Sequence, residues 1–289
     1  MKEKTGLVME GGAMRGLFTA AVNDVLMEEG IRLDGAIGVS AGATFGCNYV
    51  TNQPRRALRY CIKYRMDPRF CSIPSLLLTG DMYGAEFCYH TLPDKLDPVD
   101  HQAFLESGIP FYAVCTDIET GEPVYHLCRS LSGFELEWIR ASASMPLASQ
   151  IVRVSGRALL DGGITDSIPL RYFEEIGYKR NVVILTQPKS YRKQPNSLMP
   201  LIRMRYRAYP ALIHAMARRH MVYNDQLRDV RRAEKAGRAF VIRPPYKLPV
   251  SHNSHSAAKL REVYAIGRET ALKALPALRK FLAEDGGEA

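Results

Sequence analysis

The chain has one tryptophan, no CxxC pair and no apolar run longer than a β-strand. The runs at 36–39 and 182–185 fall far short of the roughly 20 residues that a membrane-spanning helix needs. There is no internal repeat and no like-charge tail. The 22 glycines and 17 prolines are too few for a collagen-like or low-complexity segment. The opening Met1-Lys2-Glu3-Lys4-Thr5 is polar and leads directly into Gly6-Leu7-Val8-Met9, so the apolar core of a secretory signal is missing. The six cysteines (Cys47, Cys61, Cys71, Cys88, Cys115 and Cys128) have no metal-ligand spacing and sit mostly among apolar neighbours. They read as buried, reduced thiols. A cytoplasmic protein without a bound metal or cofactor is expected.

What is present supports a large, ordered core: 46% of the 289 residues are hydrophobic and 24% are charged. The net charge of +9 is unevenly placed. Residues 189–247 hold 15 Lys and Arg against Asp225, Asp229 and Glu234, an excess of +12, which leaves about −3 elsewhere. Such a stretch suits an anionic membrane face, an acidic substrate or nucleic acid, and equally the solvated side of a long helix.

The hydrophobic pattern predicts alternation of strands and helices. A strand over 5–9 meets a glycine-rich turn, Glu10-Gly11-Gly12-Ala13-Met14-Arg15-Gly16, and then a helix over 17–29 ended by Gly30. A second strand, 34–39, leads into a small-residue helix over 41–49. Two strand-turn-helix units in succession imply a parallel sheet covered by helices. Further strands are expected at 111–115, 123–126, 181–186 and 239–242, with a hairpin joining 151–154 to 158–160. A polar link over 188–200 precedes a basic helical stretch over 201–236, interrupted at Pro210. A last helix over 257–275 is expected to break at Pro276. Two regions follow, a catalytic one over 1–190 and a basic, mainly helical one over 191–289 that returns one strand to the sheet.

The main chemical signal is Gly38-Val39-Ser40-Ala41-Gly42, a G-x-S-x-G placed where a buried strand meets a helix. A serine in such an elbow is held in a strained turn that exposes its Oγ. Side chains at Gly38 or Gly42 would strike the neighbouring elements. The glycine-rich turn after the first strand has backbone N–H groups free to converge on an anion. No Lys-Ser/Thr pair follows it, and Ala13 occupies the place of the second glycine of a dinucleotide fingerprint, so nucleotide binding is not indicated. Asp161-Gly162-Gly163 ends a strand with a sharp turn that presents a carboxylate, which would need burial to become a useful base. Arg15 and Gly16 complete the first motif. None of the histidines (His90, His101, His126, His214, His220, His252 and His255) has a telling context. The stretch from 73 to 78, continued to Tyr83, reads either as the border of an acyl pocket or as core.

Taken in order, the glycine-rich turn, Gly-Val-Ser-Ala-Gly and Asp-Gly-Gly resemble the signature of the patatin-like phospholipases. Cys115-Thr116-Asp117-Ile118-Glu119-Thr120-Gly121-Glu122-Pro123, Ala141-Ser142-Ala143-Ser144-Met145-Pro146 and Asp161-Gly162-Gly163-Ile164-Thr165-Asp166-Ser167-Ile168-Pro169 are similar as well. The resemblance spans residues 5–190. The remainder is similar to the helical extension of bacterial members. It implies an α/β three-layer sandwich with a mainly parallel central sheet and a helical C-terminal extension. It further implies a Ser40–Asp161 dyad with Ser40 as nucleophile and Asp161 as general base, without metal or cofactor. The oxyanion hole falls on the backbone of Gly11, Gly12 and Ala13, supported by Arg15, Gly16, Gly38, Gly42, Gly162 and Gly163. Ala13 departs from the family's glycine at that place, and a methyl group there makes a positive φ costly.

Hydrolysis of a phospholipid or another acyl-ester lipid is the expected activity, with contact at an anionic inner membrane face. Two other readings stay open at this stage. One is a Ser-Asp-His hydrolase, which would need one of the histidines. The other is an inactive scaffold whose basic stretch, including Arg205-Tyr206-Arg207-Ala208-Tyr209, binds membrane or nucleic acid. Nucleic acid is the less expected partner, because Leu201, Ile202, Met204, Leu212, Ile213 and Met216 recur as a helix packed on a core would require.

Overall fold

The computed structural model describes residues 3–251 and 254–283. Met1, Lys2, His252, Asn253 and residues 284–289 lie outside the described residues. An eight-stranded sheet forms the centre. The strands are β1 (Thr5–Met9), β2 (Gly35–Val39), β3 (Phe111–Asp117), β4 (Pro123–Cys128), β5 (Val152–Val154), β6 (Arg157–Asp161), β7 (Arg180–Ile184) and β8 (Ala239–Ile242). Their order is β5-β6-β3-β2-β1-β7-β8, with β4 paired to β3 off that path. Five strands run parallel from β8 to β3. The pairings of β3 with β4 and β6, and of β5 with β6, are antiparallel.

The helices are α1 (Gly16–Glu28), α2 (Ala41–Val50), α3 (Arg56–Tyr64), α4 (Ile73–Thr79), α5 (His101–Glu106), α6 (Leu136–Ser142), α7 (Leu170–Glu175), α8 (Met199–Arg205), α9 (Pro210–Lys235) and α10 (Ala257–Ala283). The period-2 alternation of the strands decides which helices cover which face. Leu7, Met9 and Ala36 join one core with α1, α2, α3 and α10. Val8, Ile37 and Val39 point the other way, into a second core with α7 and α9. Three layers result. The hairpin expected between β5 and β6 turns through Ser155 and Gly156, both at positive φ (50° and 74°), which matches the right-handed twist of the strands.

Three expectations fail, each for a physical reason. The break at Pro276 is absent: α10 continues to Ala283. The proline forfeits a bond to the carbonyl of Leu272, which lies on the exposed side, and the buried Leu278 and Phe281 hold the turns beyond it. Leu201 and Met204 are exposed instead of packed, because α8 is one short helix that buries only the stripe through Ile202. The 73–78 stretch is neither core nor pocket wall as a unit. It forms α4, with Ile73, Leu77 and Leu78 exposed, and only Tyr83 beyond it reaches an apolar cavity. A wide π-helical turn, Phe87–Leu96, was not foreseen and carries Pro93 within it.

Candidate active site

The site lies at the C-terminal ends of β1 and β2, where a parallel sheet opens a crevice between successive strand-to-helix turns. Ser40 follows β2 and begins α2 with φ 55° and ψ −120°, a backbone state that L-residues rarely adopt. The flanking glycines explain how the chain tolerates it. A Cβ at Gly38 would lie 2.3 Å from the carbonyl oxygen of Gly42, and one at Gly42 would lie 2.3 Å from that of Met9. The Ser40 N–H donates to Ser142 Oγ at 2.9 Å, which pins the elbow to α6.

The glycine-rich turn lies directly against this elbow. A Cβ on Gly11 would come within 2.8 Å of the Ser40 Cβ. Ala13 opens a short 3-10 turn that runs into Gly16 and α1, and it takes φ 48° despite its methyl group. The N–H groups of Gly11, Gly12 and Ala13 donate to no backbone carbonyl among the described residues. The preceding Glu10, buried, fixes the base of the turn. Its carboxylate accepts from the Thr186 N–H at 2.6 Å, from the Thr186 hydroxyl at 3.2 Å and from the Tyr223 hydroxyl at 2.6 Å.

Asp161 ends β6, and its N–H donates to the Ser144 carbonyl at 2.8 Å. Its Oδ1 accepts from the Gly163 N–H at 2.7 Å within the short turn 162–164. Burial pushes the Asp161 carboxyl above the ordinary carboxylate range. The Arg219 guanidinium, the Ser40 hydroxyl and the Gly163 N–H pull the other way. The structure brings Ser40, Asp161, Gly11, Gly12, Ala13, Arg15 and Gly163 to one cavity. Gly16, Gly38, Gly42 and Gly162 stand behind it as spacing residues.

Two cavities meet at Ser40. One is apolar and is walled by residues such as Phe45, Tyr60, Phe70, Tyr89, Leu92 and Ile139. The other is polar and includes Glu10, Arg15, Asp161, Lys193, Arg219 and Tyr223. Ala13, Ser40 and Met145 border both. No described histidine lines either cavity. His90 pairs with Glu137, and His126 stacks on Trp138 while bonding Glu135 at 2.9 Å. His126, Cys128 and Glu135 bring their ligand atoms within 4.8 Å of one another. Burial raises the Cys128 thiol far above its usual range, and Glu135 already serves His126 and the Arg129 N–H. That arrangement is a poor ligand set. All six cysteines are free thiols.

Glu10, Ser142, Lys193, Arg219 and Tyr223 belong to the site without having been singled out from the sequence. Glu10 and Ser142 lay inside recognised motifs. Lys193 and Arg219 were visible only as part of a charge excess, and Tyr223 carried no signal beyond its place in an apolar helical stripe.

Comparison with known proteins gives the family. The chain is 28% identical over 286 residues to the uncharacterized protein YjjU of Escherichia coli strain K12, covering 97% of this chain and 80% of that one. It is 24% identical over 281 residues to lysophospholipase nte1 of Aspergillus oryzae, covering 91% of this chain but only 17% of that protein. Among solved structures, VipD from Legionella pneumophila aligns with a TM-score of 0.46 and 12% identity, over 95% of this chain and 67% of that chain. Residues 209–283 match a domain of unknown function (DUF6363). Residues 7–174, more than half of the chain, match the model of the patatin-like phospholipases, and the protein belongs to that family.

Proposed function

We propose that the protein is a serine lipid acyl hydrolase that cleaves carboxylic esters through Ser40 and Asp161. The observation that carries this reading is the placement of Ser40. It is strained at φ 55°, lies beside a buried carboxylate of raised pKa, and stands at the border of an apolar and a polar cavity. An acyl chain in the apolar cavity brings its ester carbonyl to Ser40. Asp161 takes the Ser40 proton as Oγ forms a bond to the carbonyl carbon, and the N–H groups of Gly11, Gly12 and Ala13 stabilise the oxyanion. Collapse breaks the C–O bond, and the departing alkoxide receives the proton from Asp161. A water then attacks the acyl-enzyme while giving its proton to the same carboxylate, and the acid leaves as Ser40 is restored.

Membrane contact belongs to the same reading. Leu77 and Leu78 of α4 are 80% and 85% exposed. Arg205 and Tyr206, at the end of α8, share a surface hollow with Leu76 and Gly80. Exposed Leu201 and Met204, beside Arg203 and Arg205, extend that face. Apolar tips among arginines suit an anionic bilayer, which supports peripheral attachment. No helix among the described residues is long and apolar enough to cross a membrane. Leu77→Asp with Leu78→Asp is expected to lower flotation with anionic vesicles, and unchanged flotation removes this face from the proposal.

The central test is labelling by a fluorophosphonate probe, with circular dichroism as the control for folding. Wild type is expected to label and folded Ser40→Ala is not. A folded wild type that fails to label, or a Ser40→Ala protein that labels equally, defeats the assignment.

A further inference from the structure

The polar cavity on the far side of Ser40 contains more positive charge than ester hydrolysis requires. Arg15 comes from the glycine-rich turn, Lys193 from the link after β7, and Arg219 from α9. Three separate segments therefore aim cations at one chamber, and two of them lie outside residues 7–174. Each of those two is held by the fold. Asn224 of α9 grips both backbone groups of Lys193, accepting from its N–H at 2.9 Å and donating to its carbonyl at 3.0 Å. The side chain then lies over the Tyr223 ring, its ammonium 4.9 Å from the centroid. It makes no ion pair with a described carboxylate. Arg219 gives its Nε–H to the Gly163 carbonyl, and its terminal nitrogens have no acceptor among the described residues.

The two carboxylates in the chamber have other hydrogen-bond partners and form an ion pair with neither Lys193 nor Arg219. Glu10 is held by Thr186 and Tyr223, and Asp161 by the Gly163 N–H. Burial and the neighbouring Arg219 pull the Lys193 pKa down to about 8, with Arg15 adding to the effect and Glu10 and Asp161 opposing it. A bound anion would relieve that mutual repulsion. Cations arriving from three directions suit the tetrahedral oxygens of a phosphate better than a planar carboxylate. They also oppose a quaternary ammonium, for which the chamber offers no spare carboxylate.

We infer that Lys193 and Arg219, with Arg15, form a phosphate-recognition site on the alcohol side of Ser40. It selects acyl esters whose alcohol carries an anionic phosphate over choline-bearing and neutral ones. The inference rests on the acyl-hydrolase reading for its orientation: the acyl chain fills the apolar cavity, so the alcohol half falls in the polar one. The C-terminal helical region thereby helps to choose the substrate.

The experiment uses three 1-acyl lipids of one short chain length, carrying glycerol 3-phosphate, glycerophosphocholine or glycerol, together with inorganic phosphate alone. Binding is measured by calorimetry on the full-length Ser40→Ala protein, so no turnover is needed. The phosphate monoester is expected to bind about tenfold or more tighter than the other two lipids. Lys193→Met in the same background is expected to bring the three within about threefold of one another, while Lys193→Arg retains the preference. Equal binding of the three lipids by the Ser40→Ala protein overturns the inference. So does a Lys193→Met loss that is the same for all three. Phosphate binding that depends on Lys193 without any preference among the lipids assigns the site to a free anion and overturns the headgroup claim. Wild type that hydrolyses none of the three defeats the hydrolase reading instead, and the binding series still decides the phosphate site.

Discussion

The two cavities that meet at Ser40 are built by different means. The apolar one is walled within residues 13–145, by α2, α3, α6 and the π-helical turn, and its material is ordinary core. The polar one draws on residues from Glu10 to Tyr223 and joins the first strand to a helix near the end of the chain. An apolar wall accepts volume-conserving replacements with small losses. In a buried polar set each side chain has its own bonding role, which a replacement of another kind loses. The first cavity is therefore expected to set how much chain is accepted, and the second to set chemistry and headgroup.

The largest effect is expected on the polar side. Asp161→Asn removes the proton acceptor and should lower kcat by about 10²–10⁴. The fold should survive. The folded-state pKa of Asp161 is raised above its ordinary value, so the carboxylate subtracts stability as pH rises from about 3.9 through that raised pKa. Asparagine avoids the penalty, and the melting temperature near pH 7 should be no lower than in wild type. The same shift predicts that wild-type kcat/KM falls on the acid side with a midpoint above about 3.9. Full activity in folded Asp161→Asn, or a profile flat to pH 4, breaks the assignment of the base to this cavity.

A smaller and more selective effect is expected on the apolar side. Ala143→Phe places a ring among Phe45, Leu136 and Met145, all of which border that cavity. Long acyl esters should lose about 10- to 100-fold in kcat/KM relative to short ones. An equal loss on both chain lengths would show that the ring disturbs Ser40 and does not shorten the acyl space.

The same contrast decides how much could be read in advance. Strands with uniform apolar character and helices with one stripe declared themselves: β1, β2, β8 and α1 fall within a residue of their expected limits. The elbow was legible because Gly38 and Gly42 are required by backbone contacts only a few residues away in sequence or one strand across. Lys193 and Arg219 were not, because a charge count has no direction. Only the packing of α9 against β8, α7 and the short turn 162–164 aims Arg219 at Gly163. Tyr223 was invisible for the same reason, since its partner Glu10 stands 213 residues away. The π-helical turn and the unbroken α10 were missed because proline rules describe a local backbone. Here tertiary contacts beyond the proline hold the helix.

The smallest expected effect concerns Ala13, one of the three residues common to both cavities. Its φ of 48° lies in the left-handed region, where an L-residue is strained by about 1–2 kcal/mol. Ala13→Gly relieves that strain but gives the unfolded chain more freedom, worth about 0.5–1 kcal/mol. The net gain should be at most about 1.5 kcal/mol, read as a higher urea midpoint at unchanged slope. The backbone N–H groups already point where the fold holds them, so kcat should change by less than about threefold. A kcat that rises well beyond this would show that the methyl group obstructs the boundary between the cavities. A loss of stability would show that the positive φ is held without strain, by contacts that the methyl group itself makes with its neighbours.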